Sequence, residues 1–255
     1  MNHSYPRHIH FESAPNFRDL GGYRTHAGRT VAWRRLFRSA ALHRMNDREL
    51  SRLKQEISPR TIIDLRSPRD LEKDPQVVRL KEMGARYHPI PFSTWPWPSL
   101  SNDEAKADPN ATSMGAIYLY RISEKSFGKR LVDALEIIAE SDNHPLIFHC
   151  SAGKDRTGVL AAMVLAAMGI VDEDVVEDYA LSAPFMKDIL DRMSSDPETA
   201  QGVKDLPEFQ WEATAASMAA FLSLLRVEYG STDGYLKANG ASSSLVDRMK
   251  AALLV

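Results

Sequence analysis

The chain has 255 residues, 44% of them apolar and 26% charged, with 32 Lys and Arg against 34 Asp and Glu for a net charge of −2. That length and apolar content suffice for a sizeable core in one domain, and the near-neutral balance gives no basis for binding nucleic acid. A lone cysteine, Cys150, excludes an internal disulfide and a resolving thiol within the chain.

Residues 1–15 lack the apolar stretch of a secretory signal, and no segment reaches the roughly eighteen apolar residues of a membrane span. A cytoplasmic protein without stable membrane insertion is therefore expected, with export by a route that leaves no such signal left open. His8 and His10 fall on one side of an extended segment, but no third ligand accompanies them, so no metal site is expected. Residues 16–22 are turn-rich and read as a structural loop, with Arg18 or Asp19 bordering a pocket as the alternative reading.

Short apolar runs at residues 35–38, 61–65, 86–92 and 145–148 predict strands. The spacing at residues 47–56 and 126–139 predicts helices. Between them, residues 92–109 carry Pro, Ser, Trp and acidic side chains with no periodicity, and residues 92–115 are expected to form a lid or an insertion. From residue 156 onward the pattern is almost wholly helical, over 159–168, 172–182, 183–193, 213–228, 234–238 and 243–254. A small sheet followed by many helices predicts one α/β domain over residues 1–255, with a helix-rich C-terminal half.

The motif His149-Cys150-Ser151-Ala152-Gly153-Lys154-Asp155-Arg156-Thr157-Gly158 lies between the apolar run 145–148 and the helix 159–168. A strand-to-helix turn gathers backbone amides with the unpaired N–H groups of the first helical turn, and together they favour an anion. The same field favours the thiolate of Cys150, the nucleophilic form of the side chain. Arg156, six residues on, offers a planar fork that can hold two phosphoryl oxygens through a transition state, which a lysine would not match. A His-Cys-x5-Arg match arises by chance in about 3% of chains this long, and the added Gly153, Thr157 and Gly158 lower that to a few in a million.

The motif resembles the loop of the cysteine phosphatases, and its Gly-Lys-Asp-Arg-Thr-Gly form is similar to that of bacterial tyrosine phosphatases of the mycobacterial PtpB or LipA-like type. The likeness extends to Asn16-Phe17-Arg18-Asp19-Leu20-Gly21-Gly22-Tyr23, Arg35-Leu36-Phe37-Arg38-Ser39, Ile63-Asp64-Leu65-Arg66-Ser67, Asp178-Tyr179 and the run from Tyr229 to Leu236. The resemblance implies a cysteine-phosphatase-like central sheet flanked by helices and a phosphocysteine intermediate on Cys150. It also implies phosphate binding by Ser151, Ala152, Gly153, Lys154, Asp155 and Arg156, and a Thr157 hydroxyl that helps the thiolate leave.

The proton donor for the leaving oxygen is less legible. Classical tyrosine phosphatases carry it on a Trp-Pro-Asp loop, whereas this chain has Trp95-Pro96-Trp97-Pro98. Asp155 is near the phosphoryl group by connectivity, and the resemblance makes it the first candidate for general acid and base, against a reading as a carboxylate stabilised by the helix dipole. Asp64, beside Arg66 at a strand end, is the second, against a loop-pinning ion pair. Asp103, Glu104 and Asp108 would act only if their segment closed over the site. His149 is expected to position the loop rather than to act as a base. Lys154 offers a charge for a second phosphate or a partner for a nearby acid, while Phe92, Trp95 and Trp97 offer an aromatic wall or a packed loop.

The expected activity is hydrolysis of phosphotyrosine in a phosphorylated protein or peptide, with phosphoserine, phosphothreonine or a phosphoinositide as further substrates. No cofactor is called for, because the loop amides and Arg156 supply the charge stabilisation that Mg²⁺ supplies elsewhere. The rival expectation is a phosphate-recognising binding module that uses the same loop without turnover.

Overall fold

The computed structural model describes residues 5–72, 74, 76–92, 114–195, 200 and 208–255. Among the described residues, five strands form one sheet in the order β1 (Arg18–Asp19), β2 (Leu36–Ser39), β5 (Leu146–His149), β3 (Thr61–Asp64) and β4 (Arg86–Pro89). Only β1 runs antiparallel, on β2; the other neighbours are parallel. In the shared register Ser39 and Asp64 each pair with His149, so three strands end level with one another at one edge. Their following loops converge there, which is where open α/β sheets bind ligands.

The side chains of the central strands alternate between two cores, as the period of two requires. Leu36, Ile63, Leu146 and Phe148 enter the larger cluster, while Phe37, Ile62 and Ile147 enter the smaller one. The smaller core lies under α1 (Asp47–Glu56) and α3 (Gln76–Glu82), which supply Leu50, Leu53 and Leu80. A short helix, α2 (Pro68–Glu72), precedes α3. Helix α1 begins where predicted because Asn46 and Glu49 cap it reciprocally: Glu49 N–H donates to the Asn46 side chain at 3.0 Å, and Asn46 N–H donates to the Glu49 carboxylate at 3.3 Å.

The larger core is built by α4 (Met114–Ser123), α5 (Lys125–Ala139), α6 (Asp155–Met168), α7 (Asp172–Ala180), α8 (Ala183–Ser195), α9 (Ala215–Tyr229), α10 (Thr232–Ala238) and α11 (Leu245–Leu253). Helix α6 is buried on nearly every side, so its sequence reads apolar all round. Among the described residues no helix is long and apolar enough to cross a membrane.

The predicted strand at 86–92 ends at Pro89. The turn-rich stretch at 16–22 contains β1, whose two residues are too few to register as a pattern. Helices α2, α3 and α4 were not predicted. Most of the proposed lid lies outside the described residues, as do Trp95, Trp97, Asp103, Glu104 and Asp108. Phe92, at its edge, is buried against Phe127 with ring centroids 4.6 Å apart.

Candidate active site

Cys150 follows the last residue of β5, and α6 begins five residues later, so the turn expected from sequence is formed by Cys150 to Lys154. The cysteine is free and buried. Gly153 sits at φ +69°, and a Cβ there would lie 2.5 Å from the carbonyl carbon and oxygen of Ser39. Backbone crowding and handedness together therefore call for glycine at this position.

The backbone of this turn is divided by polarity. The Ser151 carbonyl accepts from Ala41 N–H at 3.1 Å, and the Lys154 carbonyl accepts from Gly158 N–H at 2.7 Å. Asn16 Nδ2 donates to the carbonyls of Ala152 at 3.3 Å and Gly153 at 3.1 Å, and Arg38 adds a bond to Gly153 O at 2.8 Å. All four carbonyls from Ser151 to Lys154 are thus engaged. Among the described residues the four amides of the same residues donate to no protein acceptor. Unpaired donors at a helix N-terminus form an anion cradle.

Arg156 folds back across the turn. One terminal nitrogen donates to Ser151 Oγ at 2.9 Å and the other to the Leu65 carbonyl at 3.3 Å, with the side chain buried. Both bonds hold its fork against the turn, one of them on the residue that follows Cys150. Thr157, in the first turn of α6, is fully buried, and its hydroxyl has no hydrogen-bond partner among the described residues.

Arg38 and Asn16 owe their positions to a buried network. Asp178 on α7 binds Arg18 Nε at 3.0 Å and Arg38 Nη1 at 2.5 Å, with all three side chains excluded from solvent. Arg18 also donates to the Asn16 side-chain oxygen, and Ser182 Oγ accepts from both Arg18 and Asn16. Burial would raise the Asp178 carboxyl, but the two guanidinium groups outweigh it and hold it well below the usual carboxylate range. Burial and the nearby Arg38 push Arg18 down to about 10, which leaves it charged at neutral pH.

The two candidate acids have different surroundings. Asp64 is fully buried, with Arg66 donating to both its oxygens at 3.0 Å from Nε and 2.6 Å from Nη2, and Tyr87 OH donating at 2.5 Å. Burial alone would raise its carboxyl; the neighbouring His149 and Arg66 hold it well below the usual range. Arg66 carries that effect at neutral pH, because burial lowers His149 to about 4 and leaves its ring uncharged. The His149 ring faces Asp64 Oδ2 at 3.5 Å and the Cys150 carbonyl at 3.4 Å.

Asp155 opens α6 with a side chain 28% exposed. Its Oδ1 accepts from Tyr118 OH at 2.6 Å and faces Lys154 Nζ at 3.2 Å. The Lys154 side chain is wholly buried, and its ammonium donates to the carbonyls of Gln210 and Glu212 as well. His8 packs against Phe185, with ring centroids 5.4 Å apart.

Sequence reasoning brought the turn residues together but did not find what supports them. Asn16, Arg18, Arg38 and Asp178 stand in the motifs that carried the resemblance, although only distant pairing makes them one network. Tyr118 had no signal at all, being 37 residues from Asp155 in an unpredicted helix.

A model of the tyrosine phosphatase family matches residues 9–255, so the chain belongs to that family and is a cysteine-type phosphatase. A chain of Cupriavidus necator assigned as a tyrosine-protein phosphatase is 30% identical over 89% of this chain and 82% of its own length. The triple specificity protein phosphatase PtpB of Mycobacterium tuberculosis is 27% identical over 94% of this chain and 96% of its own. Among solved structures, TpbA of P. aeruginosa aligns over 83% of this chain and 89% of its own with a TM-score of 0.40 and 16% identity.

Proposed function

We propose that this chain is one phosphatase domain of the PtpB and LipA-like subgroup, hydrolysing phosphotyrosine in proteins or peptides through a phosphocysteine on Cys150. The observation that carries the reading is the polarity of the turn, with four carbonyls engaged and four amides left to an anion. Such a cradle binds the dianionic phosphoryl group beside Cys150.

In this reading Cys150 Sγ attacks phosphorus as the bond to the phenolic oxygen breaks, and Arg156 follows the equatorial oxygens with two donors. Asp155 gives its proton to the leaving oxygen. In the second step it takes a proton from water, which attacks phosphorus and releases the thiolate, with the Thr157 hydroxyl available to that sulfur. Asp155 is preferred to Asp64 because its side chain reaches solvent, whereas Asp64 is buried, ionised and bound on both oxygens. Asp64 with Arg66 and His149 then supports the floor of the site. Lys154 contributes its backbone to the cradle, while its ammonium serves Asp155 and the carbonyls of Gln210 and Glu212.

The test is release of phosphate from a phosphotyrosine peptide, a phosphoserine peptide and a phosphoinositide in buffer with chelator, for wild type and Cys150→Ser. Turnover by wild type that falls at least about 10⁴-fold in Cys150→Ser is expected, given the size of losses on removing a nucleophile. Phosphopeptide binding without turnover on any substrate would instead establish the binding module.

A further inference from the structure

Tyr118 is a fully buried phenol that nothing in the reaction as described uses, and its oxygen is 2.6 Å from Asp155 Oδ1 and 2.7 Å from the Tyr179 oxygen. A phenol has one hydrogen to give, and the Tyr118 hydroxyl directs it at Asp155 Oδ1. Tyr118 therefore donates to Asp155, and Tyr179 donates to Tyr118. Tyr118 is fixed by edge-on contacts with Tyr179 and Phe221, each with ring centroids 6.0 Å apart. Burial and the adjacent Asp155 raise the Tyr118 phenol well above its ordinary value, so it remains a donor throughout.

The same oxygen of Asp155 also faces Lys154 Nζ at 3.2 Å, and that ammonium is anchored by the carbonyls of Gln210 and Glu212. Two donors thus converge on Oδ1. Among the described residues Oδ2 accepts no hydrogen bond. A carboxyl group with one oxygen saturated by fixed donors carries its proton on the other.

We infer that Tyr118, backed by Tyr179, is a positioning residue that clamps Asp155 by Oδ1 and so presents Oδ2 as the proton-transferring oxygen. The inference rests on Asp155 being the general acid. In the step concerned, the Cys150 sulfur–phosphorus bond forms and the phosphorus–oxygen bond breaks. The proton on Oδ2 moves to the departing oxygen, and Asp155 is left as a carboxylate held by Tyr118 and Lys154. Without the phenol hydroxyl the carboxyl rotates more freely, and a displacement of about 1 Å costs on the order of 10²-fold in rate.

General-acid assistance matters in proportion to the basicity of the leaving oxygen, which separates this role from simple support of the fold. The experiment compares kcat/KM for phenyl phosphate, a poor leaving group, with that for 4-nitrophenyl phosphate, a good one, in wild type, Tyr118→Phe, Tyr179→Phe and Asp155→Asn. The phenyl-to-nitrophenyl ratio should fall at least about tenfold in Tyr118→Phe and less in Tyr179→Phe. In Asp155→Asn it should fall by about 10²–10⁴, the usual worth of general acid catalysis. If Asp155→Asn lowers the ratio and Tyr118→Phe, folded by its thermal melt, lowers both rates equally or neither, the clamp is overturned. If Asp155→Asn leaves the ratio unaltered, the assignment of the acid fails, and the clamp fails with it. Should Tyr118→Phe not fold, Tyr179→Phe decides in its place, since an unaltered ratio there overturns the donor chain.

Discussion

Gly153 shows how much of the site depends on one absent side chain. Its carbonyl takes two donors, its amide is one of the four that donate to no acceptor among the described residues, and a side chain on its α-carbon would meet the backbone where β2 ends. Gly153→Ala would place a methyl 2.5 Å from Ser39 backbone atoms at a φ that L-residues rarely adopt, so the turn must shift. The expected result is a loss of about 10²-fold or more in kcat/KM on a phosphotyrosine peptide, with only a modest fall in melting temperature. Steady-state kinetics beside a thermal melt would check this, and retention of more than about half the activity would contradict it. Neighbouring polar residues act at the same scale. Asn16 and Arg38 draw the turn's carbonyls outward, and the Asp178 carboxylate keeps Arg38 in place.

Between helices, a close approach that bears on the site is the crossing of α4 with α9. A Cβ on Gly115 would meet the Ser217 carbonyl at 2.6 Å and the Phe221 amide at 2.7 Å, so the two helices touch backbone to backbone. That contact sets where α4 lies, and α4 carries Tyr118 to Asp155. Gly115→Ala should force the helices apart at a cost of about 1–3 kcal/mol. Urea unfolding would report the loss, and phenyl phosphate turnover should decline more than nitrophenyl phosphate turnover as Tyr118 moves. An unaltered unfolding midpoint would show that the crossing has slack. The elements that reach the site were unequally legible. Strand β5 and helix α6 were evident because an apolar run meets an apolar helix across a motif of distinct composition. Helix α1 was evident through the spacing of residues 47–56, and the Asn46–Glu49 cap found in the structure fixes where it starts. Strand β1 was not, because two residues carry no period, and α4 was not, because its link to the site is a tyrosine hydroxyl rather than a pattern.

Across the whole molecule the buried histidines set the response to acid. Burial lowers His149 to about 4, against the attraction of Asp64 and Asp74 and with the help of Arg66; burial and Arg35 lower His144 to about 4. In the unfolded chain each would titrate near 6.5. Between about pH 6.5 and 4 the unfolded state therefore binds more protons than the folded one, and stability must fall as pH falls through that window. Below it, Asp64 and Asp178, whose carboxyls lie under the usual range in the folded state, lose their contribution in turn. Thermal or urea midpoints measured from pH 7 to pH 3 should begin to fall near 6.5; a plateau down to about 4 would show that the carboxylates alone govern acid unfolding.

The sequence by itself determined the chemistry: a thiol and a guanidinium at the spacing of one strand-to-helix turn, glycine at the place where the chain must turn left-handed, and an α/β pattern that puts the turn at a strand end. Those features are local, because strand, turn and helix are written in one consecutive stretch, residues 146–168. Tertiary structure alone decided which groups hold that turn in shape and which oxygen of Asp155 takes the Tyr118 hydrogen bond. Asn16, Arg38, Tyr118 and Asp178 lie between 37 and 160 residues from the turn atoms or the ion-pair partners they contact. Contacts at that separation are set by sheet order and helix crossing, which no local spacing encodes.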